Sequence, residues 1–84
     1  MELKKVELKI KAQGGEIGRK CVEKLACAIK GTPKEEEDRE MYAAMCMGYL
    51  SACADAGFVN AEDEKKLLSA ISAIGAGLAE VREG

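Results

Sequence analysis

The chain has no histidine and no tryptophan, a single proline, and only three aromatic residues among its 84. Without histidine, the commonest general base and the commonest metal ligand are both missing. A serine-type triad would have to use Ser51, Ser69 or Ser72. All three sit in helical patterns among small or apolar neighbours, with no recognisable base, and read as packing or surface residues. Four cysteines are present, but none forms a Cys-x-x-Cys pair: Cys21 and Cys27 are six positions apart, on different helix faces, and Cys46 and Cys53 are seven apart, on one face. Small zinc and iron–sulfur sites usually show that missing spacing. The cysteines are therefore expected to be reduced, buried, small hydrophobes; neither a metal nor another cofactor is expected, and no enzymatic activity.

Long apolar runs are also lacking. The most apolar stretch, residues 41–56, is shorter than the ~20 residues that cross a bilayer, contains Ser51 and Asp55, and follows a dense acidic cluster. The charged N-terminus has no apolar run of the length a secretory signal needs. A cytoplasmic location is expected, without membrane association.

Hydrophobic residues make up 48% of the chain and charged residues 33%, a balance that folds and stays in solution. At this length the whole chain, 1–84, is expected to be one small helical domain. Its core must be filled by Leu, Ile, Met, Ala and Cys, which bury less area than aromatics. Modest monomer stability favours a homodimer or support from a partner. Charge is unevenly spread: residues 1–34 carry nine Lys/Arg against four Glu, for +5, whereas residues 35–84 carry four basic against eleven acidic side chains, for −7.

Val6, Leu8, Ile10 and Ala12 alternate with Glu7, Lys9 and Lys11, the pattern of a half-buried strand. Segment 1–13 stays open between an extended segment and a short helix, the alternation favouring the strand. No second strand is evident, so such a strand would pair with another copy of the chain or with a target's sheet edge. Helices are predicted over 16–30, 33–56 and 61–81. The first carries the stripe Ile17, Cys21, Leu25, Ala28 and Ile29, flanked by Val22, and should stop at a left-handed Gly31. Thr32 is the expected cap of the second, with Pro33 at its first position and Glu35 completing a capping box. That helix should end at Gly57, with Phe58 folding back. Asn60 caps the third, whose Leu67, Ile71, Ile74, Leu78 and Val81 form a bundle-type seam. The fold expected is mainly α: a three-helix bundle or helical hairpin with an N-terminal segment that is at most a single β-strand.

The second helix is surrounded over more than half its girth by Met41, Tyr42, Met45, Cys46, Tyr49, Leu50 and Cys53, and should touch both other helices. Ala44, Gly48, Ala52 and Ala56 form a row of small residues matched by Ser69, Ala73 and Gly77. Close packing of these two rows is the favoured reading, since a glycine inside a helix costs about 1 kcal/mol relative to alanine and needs a reason. A groove for a partner helix is the alternative.

Four surfaces could carry function. Glu35, Glu36, Glu37, Asp38 and Glu40, with Glu62, Asp63 and Glu64, suit helix N-termini and could together form an acidic face for a basic partner. Ala43, Met47 and Ala54 lie on the side of the second helix least needed by the core and are possible interface residues. Lys4, Lys5, Lys9, Lys11, Arg19, Lys20 and Lys24 could contact phosphates, the basis of the alternative function, a small dimeric nucleic-acid-binding regulator. Gly14-Gly15-Glu16-Ile17-Gly18 precedes a helix as phosphate loops do, but lacks their spacing and reads as a plain turn.

The stretch from Gly48-Tyr49-Leu50 through Asp55-Ala56-Gly57-Phe58-Val59-Asn60-Ala61-Glu62-Asp63-Glu64 to Leu67-Leu68 resembles the helical hairpins of small phage and prophage proteins. With the size, the charge asymmetry and the missing catalytic residues, the chain resembles stand-alone phage-encoded inhibitors of the anti-CRISPR kind. That resemblance implies steric or electrostatic blocking of a host protein complex, and it carries over no functional residue. The leading expectation is a non-enzymatic protein-interaction module that inhibits or modulates such a complex.

Overall fold

Two glycines with left-handed backbone decide where the last two helices stop. In the computed structural model, which describes residues 3–82, the chain runs β1 (Lys4–Val6), α1 (Gly15–Lys30), α2 (Glu36–Asp55), α3 (Ala61–Gly75) and β2 (Ala79–Val81). Gly57 adopts φ +81° and Gly77 φ +77°. At each, the glycine N–H and the next N–H reach back to the last-turn carbonyls: Gly57 to Ala54 (3.0 Å) and Phe58 to Cys53 (2.9 Å), Gly77 to Ile74 (3.0 Å) and Leu78 to Ala73 (2.9 Å). This is the paired bond pattern of a Schellman end, which satisfies carbonyls the helix itself leaves free.

The turn at Gly77 corrects the expected helix over 61–81. α3 ends at Gly75, and Leu78 and Val81 leave its seam: Leu78 is exposed, while Val81 joins β2. β2 lies parallel to β1, Lys4 opposite Ala79, Lys5 opposite Glu80 and Val6 opposite Val81. Lys4 N–H donates to Leu78 (3.1 Å) and Arg82 N–H to Val6 (2.8 Å). The N-terminal strand is real, but its partner is the chain's own C-terminal segment, so a second copy is not needed to satisfy it. Beyond Val6 the alternation persists without a ladder: Leu8, Ile10 and Ala12 pack on the core while Glu7, Lys9 and Lys11 face solvent.

α2 is the central helix, packed most extensively on α3 and less on α1. The core joins Val22, Leu25 and Ile29 of α1 to Ala43, Cys46, Leu50 and Cys53 of α2 and to Leu67, Ile71 and Ile74 of α3, with Val59 and Ala79 closing its ends. A Cβ built on Gly75 would lie 2.7 Å from that of Ala43, so the start of α2 and the end of α3 meet almost backbone to backbone. This makes the two helices antiparallel.

Other local expectations shift. Asn60 caps α3 as expected, its side chain accepting from Asp63 N–H at 2.7 Å. Thr32 does not cap α2, which starts at Glu36 rather than 33; its hydroxyl instead donates to Ile29 at the end of α1 (2.7 Å). Gly31 follows α1 with φ −84°, not left-handed. The buried stripe of α1 runs through Gly18, Val22, Leu25 and Ile29, leaving Ile17 69% exposed. The cause is Gly18: the Gln13 carbonyl oxygen occupies the place of its missing Cβ, so this face must turn inward under the Gln13–Phe58 crossing.

Candidate partner-binding face

Because α3 takes the Ala43 side of α2 and α1 the Tyr42 and Cys53 side, one long face of α2 is left with no neighbour among the described residues. Residues spaced by three and four share a helix face, and this one runs Glu37, Met41, Ala44, Gly48, Ala52 and Asp55, with Met45 beside it. Met41 is 73% and Met45 56% exposed. Ala44, Gly48 and Ala52 are exposed, and nothing stands within 4 Å of the place a Gly48 Cβ would take.

This overturns three readings of α2. The row Ala44, Gly48, Ala52 and Ala56 does not pack against Ser69, Ala73 and Gly77; the close approach is made one residue round the helix, by Ala43 and Gly75. Met41 and Met45 are not core. Ala43, expected at an interface, is buried in the core, and Met47 is half-buried against it; Ala54 is half-buried. Hydrophobic periodicity does not separate these faces, since α2 is apolar nearly all round between its charged ends.

The face is framed by acid. Glu36, Glu37, Asp38, Glu40 and Asp55 are exposed, and among the described residues none of them forms an ion pair. The one cation of α2, Arg39, is turned the other way: its Nε donates to the Gly75 carbonyl (2.9 Å) and a terminal nitrogen to that of Lys34 (3.1 Å). A guanidinium thereby caps the negative end of α3, and its charge is withdrawn from the outer face.

The two acidic clusters do not form one face. Glu35, Glu36, Glu37, Asp38 and Glu40 begin α2, whereas Glu62, Asp63 and Glu64 begin α3. In an antiparallel pair these lie at opposite ends, separated by the ~30 Å length of a 20-residue helix. The α3 cluster is also partly used within the chain: Glu62 pairs with Lys66 (3.5 Å), and the Asp63 carboxylate accepts the Lys11 N–H (3.1 Å).

The basic residues of the N-terminal third are spread over β1, the segment after it and α1. Lys5 pairs with Glu80, Lys9 with Glu7 (3.3 Å), Arg19 with Glu23 (3.5 Å) and Lys20 with Glu16 (3.6 Å), while Lys4, Lys11 and Lys24 have no such partner among the described residues. These exposed pairs contribute little stability, but they set a carboxylate beside four of the seven cations that a phosphate backbone would need.

The thiols split by location. Cys46 and Cys53 are buried, Cys21 is half-buried, and Cys27, expected inside, is exposed on α1. Burial pushes the Cys46 and Cys53 thiols up, Cys53 further so beside Cys21. Tyr49 is raised by its desolvation and by the neighbouring Cys53 and Cys21 thiols. Among the described residues no three His, Cys, Asp or Glu side chains converge on a metal-sized site, and no helix is long and apolar enough to cross a membrane. Comparison with known proteins is silent: no protein-family model, no curated protein and no solved structure matches the chain.

Proposed function

We propose that the chain is a non-catalytic, cytoplasmic protein-binding module that seats the outer face of α2 on a partner protein and so inhibits or modulates a larger complex. The observation that carries this is the Met41–Met45 pair, two large apolar side chains one helical turn apart, left in water on the central helix. Methionine is flexible and polarizable, and suits surfaces that adapt to a partner. Contiguous exposed apolar surface rimmed by polar residues marks interaction sites. The resemblance to small phage-encoded inhibitors fits this mode of action, which needs a surface and no chemistry.

The test compares the tagged wild-type protein with Met41→Gln/Met45→Gln, a pair of similar-sized polar replacements at two exposed positions. A protein recovered in stoichiometric amount by the wild type and lost with the variant, at unchanged melting temperature, supports the reading. Recovery of nucleic acid that both proteins retain, and that raised salt removes, would replace it with a phosphate-binding role for Lys4, Lys11 and Lys24.

A further inference from the structure

Gly48 is a cost without an internal reason. It lies near the middle of a 20-residue helix, yet its bare backbone faces open space rather than α1 or α3. Flanked one turn away by Ala44 and Ala52, it makes a shallow saddle on which another helix can approach backbone to backbone. A strand or an irregular loop would gain nothing from such a row, whereas helix axes come closest where side chains are small.

The charges say what kind of helix. The apolar part of the face, Met41 to Ala52, is about 16 Å long at 1.5 Å per residue, or three turns. Glu37 continues the same stripe at one end and Asp55 at the other, with Asp38 and Glu40 beside it, all without an ion-pair partner among the described residues. Arg39, which could have neutralised them, is committed to Gly75 and Lys34. A second copy of this chain is a poor occupant, because its own α2 would bring the same four carboxylates against them in either orientation.

Building on the docking reading above, we propose that the outer face of α2 binds a basic amphipathic helix of the partner: about three turns of apolar side chains seated on Ala44, Gly48 and Ala52 and on the Met41–Met45 pair at one end of that row, with Lys or Arg at both ends facing Glu37 and Asp55. Apolar contact provides the affinity, and the acidic frame selects the partner's charge and speeds encounter.

The experiment titrates the whole ¹⁵N-labelled protein with three synthetic 18-residue helices sharing one leucine stripe and carrying Lys, Gln or Glu at their ends. The Lys helix should shift the amides of Met41 to Asp55 and bind at least tenfold tighter than the Glu helix at low salt. Gly48→Leu, which fills the saddle from the solvent side, should weaken it at least tenfold without unfolding the protein. Glu37→Gln/Glu40→Gln should weaken the Lys helix, while Glu62→Gln/Glu64→Gln at the far end should not. Equal binding of all three helices on α2 would overturn the basic occupant and leave the docking face standing. Shifts confined to other surfaces would overturn both. A homodimer in sedimentation that Met45→Lys dissolves would make a second copy the occupant and overturn the basic helix.

Discussion

Ala43 and Gly75 are a matched pair, a methyl group seated against a residue that has none, with only 2.7 Å between the Ala43 Cβ and the position a Gly75 Cβ would take. The whole α2–α3 hairpin closes on this contact, since Arg39 reaches the Gly75 carbonyl from the same turn of α2.

Gly75→Ala should therefore destabilise the fold even though alanine is the better helix former. Overpacking of a close contact costs about 1–3 kcal/mol, more than the propensity gained at the last residue of a helix. Ala43→Gly in the same chain should return part of the loss by reversing the size match, and thermal melts of the two single variants and the double variant read the coupling. Additive losses would show that the two positions are not in contact.

Gly77→Ala tests the turn that frees β2. A non-glycine residue in the left-handed region costs roughly 1–2 kcal/mol, and the new Cβ would stand 3.0 Å from the Arg39 guanidinium. The expected result is a lower melting temperature with faster hydrogen exchange at the Lys4 and Arg82 amides, which bond across the β1–β2 pair. Unchanged exchange at both would mean that β2 forms independently of the turn.

The part of this fold written plainly in the sequence is its punctuation. Gly57, Phe58 and Asn60 mark the α2–α3 turn by residue type alone, because a left-handed stop and a side-chain cap are local needs. Gly77 carried the same signal, but Leu78 and Val81 happened to continue the spacing of Leu67, Ile71 and Ile74, and periodicity outweighed the glycine. The parallel pairing of residues 4–6 with 79–81 joins the two ends of the chain, and three-residue strands carry too little pattern to announce one another. The outer face of α2 was hidden for a different reason. Small residues recur on several of its sides, so whether Ala43 or Ala44 meets α3 depends on a rotation of about 100°, which is set by the contacts that Ala43 and Arg39 make with Gly75 of α3.

Cysteine reactivity should follow burial. A maleimide at pH 8 is expected to modify exposed Cys27 first, with Cys46, 1% exposed, and Cys53, 5% exposed, reacting only as fast as the fold opens. Mass spectrometry of partly labelled protein reads the order. The same burial makes a pH prediction. Both buried thiols have folded-state values above the ordinary 9.0, so the folded state favours the neutral form. Their contribution to stability is complete below pH 9 and is lost as the pH rises from there through the folded values. Urea midpoints should fall from pH 9 upward, and Cys46→Ala/Cys53→Ala should start lower and fall less steeply. A double variant with an unaltered alkaline slope would remove the thiols as its source.

Gly48→Ala separates what the helix needs from what its outer face is for. If Gly48 served packing within the chain, a methyl group there would clash and the melting temperature would drop. The space around it is open, so alanine should instead stabilise α2 by about 1 kcal/mol, which in a domain of this size raises the melting temperature by roughly 4–8 °C. Stability gained so easily, at a position where glycine harms the isolated fold, is what a surface shaped for a partner's backbone would forgo. The melt of this single variant measures the first half of that statement without any partner in hand. A lower melting temperature would place a contact against Gly48 inside the molecule and take away the saddle on which the basic helix is proposed to sit.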